Sequence, residues 1–374
     1  DLVKAFDGIT GLKGDVTISS AANTVTTDQL KAINKATSGD ITVTNNQTLL
    51  GSAKDLIEAL KDVTLTASST VKVNGPVTLA QILELQKSVA TDLTKLTFTN
   101  TSAALTGTTV DILDALDSAP AGYKGAIKVT DTISAANLKI INDATTGKIT
   151  LTNLTHALNG TAADLAAALD GITGYKGNVR VSDAVDAAEL LTINKATSGV
   201  VTLDDQTGIL EASAKDLIAA LDGITGYTGN LIIALNSPAA TLAQLKTLNS
   251  LGSTPGDLVL DALSAKTNYS GKASDILAAF DGVTVYNGSL TITGSYRAED
   301  IAALELLGHP YTLSNKAQAL TVDVADVAAL VTVLDGTGYK GNVTVTGATE
   351  IAIADLQNLN NLTTGKITLN DASL

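Results

Sequence analysis

The sequence predicts an α/β fold: a repetitive β-α-β-α solenoid in which helices cover one face of a long parallel sheet. Three observations support this prediction. The stretch "LDGITGYKG" at Leu169 to Gly177 returns as "LDGITGYTG" at Leu221 to Gly229, so the chain contains internal repeats. Segments with the alternation of a half-buried strand are followed by segments with helical spacing. One strand face stays polar throughout, which indicates that helices cover only the other face.

The first strand of each repeat is predicted directly after a loop similar to "GYKG". These strands begin at Val16, Val71, Ile127, Val179, Leu231, Leu290 and Val343. A second strand of each repeat begins at Ile41, Leu96, Ile149, Val201, Leu258, Tyr311 and Ile367. We therefore predict that residues 1–374 form one continuous array of about seven repeats of about 53 residues, each with two strand-plus-helix half-units.

The strands and helices follow from the spacing of apolar residues. In "ITLTN", Ile149, Leu151 and Asn153 share one face of the strand, and the threonines between them share the other. Helical spacing relates Leu165, Ala168, Leu169 and Ile172, and also Leu190, Ile193 and Ala196. Helix starts are indicated by a hydroxyl residue with Asp three positions later, as in Ser52 with Asp55, Thr108 with Asp111 and Thr161 with Asp164.

Strands joined by helical crossovers are parallel in most proteins. The alternative architecture is a string of small α/β domains. No Pro-rich or Ser-rich linker separates the repeats, because the five prolines are scattered singly. A continuous array is therefore the favoured prediction.

The glycine-rich loop is not a phosphate-binding loop. Such a loop follows a strand and opens a helix, whereas "LDGITGYKG" follows a helix and precedes a strand. The first glycine of each loop is predicted to end the helix in a left-handed conformation. These glycines are Gly8, Gly171, Gly223, Gly282 and Gly336, and the tyrosines predicted to pack between repeats are Tyr123, Tyr175, Tyr227, Tyr286 and Tyr339.

The amino-acid composition argues against several classes of function. The formal net charge of -14 at pH 7 should repel nucleic acid and anionic lipid. The chain has no Cys, Met or Trp and only two histidines, His156 and His309, at non-equivalent places in the repeat, so we predict that it is not an enzyme. No apolar run reaches the length of a membrane span, so membrane insertion is not expected. A chain without oxidisable sulfur suits an extracellular location.

Polar residues recur where the predicted strands end, on the inward face by alternation. They are Asn45, Asn100, Asp131, Asn153, Asp183, Asp205 and Asp371. The simpler interpretation is that they bond turn backbones or cap the following helix. The alternative is a Ca²⁺ site in which neighbouring repeats supply oxygen ligands, with Asp183, Asp204 and Asp205 as the candidates. No EF-hand loop is present.

Threonines recur on the outward strand face. They are Thr17, Thr42, Thr97, Thr150, Thr202, Thr291, Thr344 and Thr368, and the row is interrupted by Lys72, Lys128 and Arg180. A regular threonine row could bind glycan or ice. Threonine is also a favoured residue on any solvated strand face, and this plainer interpretation is preferred.

The phrases "AAALDGITGYKGNV", "TLAQLKTLN" and "INKATSGVVTL" resemble repeats of very large secreted or cell-surface proteins of marine cyanobacteria, of the kind linked to the surface layer and to swimming. The resemblance covers most of the chain and is weakest around residues 252–268 and 308–330. It implies an extracellular structural role, with calcium often involved in the family's setting. It implies no catalytic residue.

We therefore expect a structural protein of the cell surface that forms part of a surface layer, filament or adhesive stalk. Its expected partners are copies of itself, joined head to tail or laterally, and the alternative is a module that binds glycan or ice. The sequence begins inside a predicted helix, "DLVKAFDGITG", and stops after a strand, "KITLNDASL". We expect it to be a fragment of a longer chain whose two ends mediate assembly.

Overall fold

The computed structural model describes residues 2–19, 25–44, 47–65, 69–89, 93–118, 123–235, 237–251, 258–347 and 349–370. These residues form short helices and strands that alternate along the chain. The α/β class predicted from the sequence is therefore confirmed.

Fourteen α-helices occur among the described residues. They are Leu2–Phe6 (α1), Thr27–Ala36 (α2), Ala53–Leu60 (α3), Leu79–Ser88 (α4), Thr109–Asp117 (α5), Ala135–Ala144 (α6), Ala162–Leu169 (α7), Ala187–Ala196 (α8), Ala214–Leu221 (α9), Leu242–Ser250 (α10), Ala273–Phe280 (α11), Ala298–Leu306 (α12), Val327–Leu334 (α13) and Ile353–Leu362 (α14). Single 3₁₀ turns lie at Leu93–Lys95, Ser264–Lys266 and Val324–Asp326.

Twenty-one strands occur in the same part of the chain. They are Val16–Ile18 (β1), Ile41–Val43 (β2), Thr48–Ser52 (β3), Val63–Leu65 (β4), Thr70–Asn74 (β5), Leu96–Phe98 (β6), Leu105–Gly107 (β7), Ile127–Val129 (β8), Ile149–Leu151 (β9), Leu158–Gly160 (β10), Val179–Val181 (β11), Val201–Leu203 (β12), Leu210–Ala212 (β13), Leu231–Ile233 (β14), Leu258–Val259 (β15), Tyr269–Gly271 (β16), Leu290–Ile292 (β17), Tyr311–Leu313 (β18), Leu320–Asp323 (β19), Val343–Thr346 (β20) and Ile367–Asn370 (β21). All fourteen predicted strands are present.

The chain divides into two compact units, Asp1–Arg180 with Ala196–Val200 and Val181–Lys195 with Val201–Leu374. The first unit contains the three-stranded sheets β1-β2-β4, β3-β5-β6 and β7-β8-β9. The second contains β13-β14-β15, β16-β17-β18 and β19-β20-β21. Every strand pair in these six sheets is parallel, as predicted.

Within each unit these separate sheets replace the long sheet of the prediction. The reason is a set of seven further strands that the sequence analysis did not identify: β3, β4, β7, β10, β13, β16 and β19. In the first unit, β6 and β7 lie in the same connection between α4 and α5, yet β6 pairs with β5 and β7 pairs with β8. The second unit repeats this arrangement, because β15 pairs with β14 and β16 pairs with β17. In each case the two strands of one connection pair with different neighbouring strands. The hydrogen-bonded ladder of the sheet is therefore interrupted between them.

Helix starts and ends agree with the predicted capping residues. The hydroxyl oxygens of Ser52, Thr108 and Thr161 each accept a hydrogen bond from the backbone N–H three residues later, over 3.2 to 3.3 Å. The predicted helix-ending glycines all have φ between 70° and 77°: Gly8, Gly171, Gly223, Gly282 and Gly336. This left-handed conformation is accessible to glycine at little cost.

Small aliphatic side chains form the core, as the composition predicts. Leu165, Ala168 and Leu169 on α7 are almost fully buried, and so are Leu190 and Ile193 on α8. Consecutive helices pack against each other, for example α2 on α3 in the first unit and α10 on α11 in the second. The helix faces predicted from periodicity are therefore the buried faces.

An asparagine near the end of α2, α6, α8 and α10 bonds to the carboxyl end of the next helix. Asn142 Nδ2 on α6 donates to the carbonyls of Ala167 (2.7 Å) and Asp170 (3.0 Å) at the end of α7. Equivalent bonds run from Asn34 to the end of α3, from Asn194 to the end of α9 and from Asn249 to the end of α11. Helix carbonyls that would otherwise lack a partner are satisfied in this way.

The loop tyrosines form a second recurring contact. Their hydroxyls donate to a backbone carbonyl of the preceding strand connection: Tyr123 to Ala103, Tyr175 to His156, Tyr227 to Gly208, Tyr286 to Thr267 and Tyr339 to Gln318. All five residues are buried. The prediction that these tyrosines pack between repeats is therefore confirmed.

Candidate functional site

The strand-end positions with polar residues are the first candidate site. Asn153 Oδ1 accepts hydrogen bonds from the backbone N–H of Thr155 (3.2 Å) and of His156 (3.1 Å). Asn100 does the same with Ser102 N–H (2.9 Å). These are turns in which the side chain replaces a backbone acceptor. The simpler of the two sequence interpretations therefore describes both asparagines.

Asp131 belongs to the same set of strand-end residues but accepts a different pair of hydrogen bonds. Its Oδ1 accepts from both the backbone N–H and the hydroxyl of Thr109, each at 2.8 Å. Thr109 is the first residue of α5, so Asp131 places a negative charge at the start of the preceding helix, where the helix dipole favours it. Capping was predicted, but of the following helix. Asn45 and Asp371 lie outside the described residues.

The candidate calcium ligands lie in the second unit. Asp183 and Asp204 are exposed, and Asp205 is half-buried. Asp183 thus departs from the inward orientation that alternation predicts. Asp205 Oδ1 already accepts from the N–H (2.9 Å) and the hydroxyl (2.8 Å) of Thr207. Those hydrogen bonds, first from the N–H and then from the hydroxyl, lower the pKa of the Asp205 carboxyl.

Within the described ranges, no group of three or more Asp, Glu or His side chains is arranged to hold a metal ion. Asp205 shares its turn geometry with Asn100 and Asn153, which carry no charge. The turn therefore does not require a metal. The calcium site stays a prediction.

The outward threonines are the second candidate site. In the first unit Thr17, Thr42 and Thr64 lie side by side on β1, β2 and β4. In the second unit the central positions of β19, β20 and β21 carry Thr321, Thr344 and Thr368 in the same way. Two sheets thus present three threonines in register.

Other sheets interrupt this row. Lys72 pairs with Thr97, and Lys128 pairs with Thr150. In the second unit the equivalent strand positions of β13, β14 and β15 are Glu211, Ile232 and Val259. Within each unit the threonine surface is therefore local to single sheets.

The two histidines have no shared site. The His156 side chain is exposed, and its backbone carbonyl accepts the Tyr175 hydroxyl. His309 Nε2 lies 3.0 Å from the carbonyl oxygen of Val283, and this contact requires a proton on Nε2 because a carbonyl only accepts. The His309 ring packs edge-on against Phe280 and Tyr286, with centroids 5.9 and 5.4 Å apart. We interpret His309 as a packing residue.

A cleft of about 610 Å³ adjoins His309 and is lined by the loop from Phe280 to Asn287. Phe280 and Tyr286 are 1% and 6% exposed, so neither offers an open ring face on which a sugar could stack. Their packing against His309 explains the burial. Sequence reasoning missed this cluster because it found no partner for His309 at equivalent repeat positions.

No helix in the described part of the chain combines the length and apolar character needed to cross a membrane. Comparison with protein-family models and with curated proteins finds no match for this chain. Its function must therefore be argued from the features above.

Proposed function

We propose that this protein is an extracellular structural repeat protein, without enzymatic activity, that forms part of a surface layer, filament or adhesive stalk. The observation that carries the proposal is the use of its recurring polar side chains. The asparagines on the helices and the tyrosines in the loops bond backbone carbonyls of neighbouring half-units. Side chains used in this way stabilise the stacking of half-units, which supports a structural role.

The finer architecture belongs to the same proposal. Stacked half-units with parallel strands suit a solenoid whose helices cover one face. Copies of the chain assemble by head-to-tail or lateral contacts. The resemblance to cyanobacterial surface proteins supports an extracellular place for that assembly.

Localisation is tested by labelling cells of the source organism with an antibody against residues 1–374. The proposal expects labelling of intact cells that is removed by brief external proteolysis. Labelling only after lysis would contradict it. Assembly is tested separately, by sedimentation and electron microscopy of the purified chain over a range of concentrations: filaments or sheets are expected, and a monomer throughout would contradict self-assembly.

A second candidate function is binding of glycan or ice by the threonine surface. It is favoured by the in-register sets Thr17–Thr42–Thr64 and Thr321–Thr344–Thr368. The variants Thr42→Tyr and Thr344→Tyr disrupt the two surfaces at their central strands. Loss of glycan binding or of ice recrystallisation inhibition, with assembly unchanged, would favour this candidate. Thr332→Tyr, on the exposed face of helix α13, is the control.

A further inference from the structure

In α2 and α10 the fifth residue is a lysine that reaches the following helix, whereas Lys139, the fifth residue of α6, pairs with Asp143 of its own helix. Lys31 is the fifth residue of α2, and its Nζ lies 2.7 Å from Asp55 Oδ1 on α3. Lys246 is the fifth residue of α10, and its Nζ lies 2.5 Å from Asp275 Oδ1 on α11. In both units, therefore, a lysine at this position bridges two packed helices.

In the α12–α13 pair, the fifth position of the first helix carries no lysine. The fifth helical residue is Lys139 in α6 and leucine in α4 and α8, but it is Ala302 in α12. A groove of about 370 Å³ lies at this place. Its apolar lining includes Ala302, Ala303, Ala329 and Leu306, and Leu306 is 89% exposed.

An Asp recurs at the acidic position of the bridge, and Asp111 on α5 and Asp216 on α9 occupy it although the preceding helices carry leucine at the fifth position. Asp55 and Asp275 lie six residues after the first buried residue of their strands, Leu49 and Tyr269, and Asp326 lies six residues after Leu320. Asp326 also lines the groove. Its carboxylate makes no hydrogen bond or ion pair with another described residue, and it does not cap its helix.

The other carboxylates at the rim are engaged. Glu299 pairs with Arg297, whose Nε lies 3.5 Å away. Asp323 Oδ1 accepts from the backbone N–H of Ala325 at 3.0 Å. Asp326 is therefore the available anion of this groove.

We propose that the groove between α12 and α13 is a docking site for a lysine side chain supplied by another protein. The lysine stem fills the space above Ala302, its ammonium pairs with Asp326, and an aliphatic neighbour in the partner covers Leu306. Lys31 and Lys246 show the same pairing within the chain. The net charge of -14 disfavours a second copy as the donor and favours a separate partner with a basic segment.

The first experiment supplies the lysine within the chain. Ala302→Lys should raise the thermal midpoint, and Asp326→Asn should abolish that gain in the double variant. Ala328→Lys adds the same charge at an exposed position of α13 that does not line the groove, and it should give no gain that depends on Asp326. An equal gain from Ala302→Lys with and without Asp326 would overturn the pairing.

The second experiment supplies the lysine from outside. The probe is the peptide acetyl-Ala-Leu-Lys-Ala-Leu-amide at low ionic strength, where surface charge pairs are least screened. Binding is followed through the methyl NMR signals of Ala302, Ala303 and Ala329. Asp326→Asn, or norleucine in place of the peptide lysine, should weaken binding about fivefold, and Ala302→Lys should block it.

Three results would overturn the proposal. They are no peptide binding to the unaltered chain, equal binding of the norleucine peptide, and self-association that Ala302→Lys or Asp326→Asn abolishes. The last result would identify a second copy as the occupant instead of a separate partner. None of these readouts requires a surface layer to form, so they are independent of the proposed function.

Discussion

Glycines act at the residue scale in two distinct ways. At Gly171, φ is +70° and no atom lies within 4 Å of the position that a Cβ would take. At Gly147, by contrast, a Cβ would overlap the carbonyl group of Gly125 in the preceding loop. One glycine is needed for its backbone conformation and the other for close approach of two backbones.

This difference predicts unequal costs for alanine substitution. Gly171→Ala should lower the free energy of unfolding by about 1 kcal/mol through strain at positive φ. Gly147→Ala should cost about 3 kcal/mol because two loops must separate. Gly208→Ala, where φ is not positive and space is open, should be nearly neutral. Urea unfolding of the three variants checks the order, and equal costs would contradict it.

The buried tyrosines predict that the folded protein loses stability at alkaline pH. Burial raises the pKa of Tyr175, Tyr227 and Tyr286 to about 12, from an ordinary value of 10.0. Below pH 10 their contribution to stability is fully present. Between pH 10 and 12 the unfolded chain loses phenolic protons that the folded chain retains, so stability must fall as pH rises.

The measurement is an alkaline titration followed by circular dichroism and by tyrosinate absorbance. We expect the absorbance to rise together with the loss of helical signal. Absorbance that rises near pH 10 while the helices stay intact would contradict the burial of these hydroxyls.

At the scale of secondary-structure elements, Asn142 bonds α6 to the end of α7. Substitution of Asn142 tests how much this contact stabilises the fold. Asn142→Asp should lower the free energy of unfolding by about 2 kcal/mol, because a carboxylate cannot donate to the α7 carbonyls and faces the negative end of that helix. Asn137→Asp is the matched control. It lies in the first turn of the same helix, where a negative charge is favourable, and should not destabilise. Equal losses in the two variants would contradict the bonding role of Asn142.

Strands β9 and β7 show how alternation decides whether a strand can be identified from the sequence. Strand β9 has Ile149 and Leu151 buried on either side of an exposed Thr150, which is the alternation that identifies a strand. Strand β7 has one buried residue, Leu105, before a glycine, so it carries no alternation. The sequence analysis consequently predicted one long sheet where each unit contains separate ones.

The same reasoning applies to the candidate sites. Turn bonding by Asn100 and Asn153 was predictable because Asn favours such turns by its own chemistry. The bond from Asn142 to α7 was missed because it depends on how two helices align, although an asparagine recurs in "INKAT" and "INDAT". The groove at Ala302 depends on the same alignment.

For the whole molecule, the sequence predicts a dependence of stability on calcium. The net charge of -14 and the residues Asp183, Asp204 and Asp205 predict that adding a chelator lowers the thermal midpoint. Asp205→Asn keeps an oxygen acceptor for Thr207, as Asn100 does for Ser102, but removes a charge. It should therefore remove the calcium response and leave the metal-free midpoint unchanged. An unaltered midpoint with chelator would rule the site out.

The asparagine and tyrosine contacts also determine how the chain reaches its native state. Each of these bonds joins residues between 19 and 32 positions apart. Low contact order of this kind favours rapid folding, because only short loops close before each contact forms. A repeat can fold on the repeat before it as soon as its own residues emerge from a ribosome. In a long chain built this way these contacts form between segments that are close in sequence, which shortens the exposure of nascent segments to aggregation.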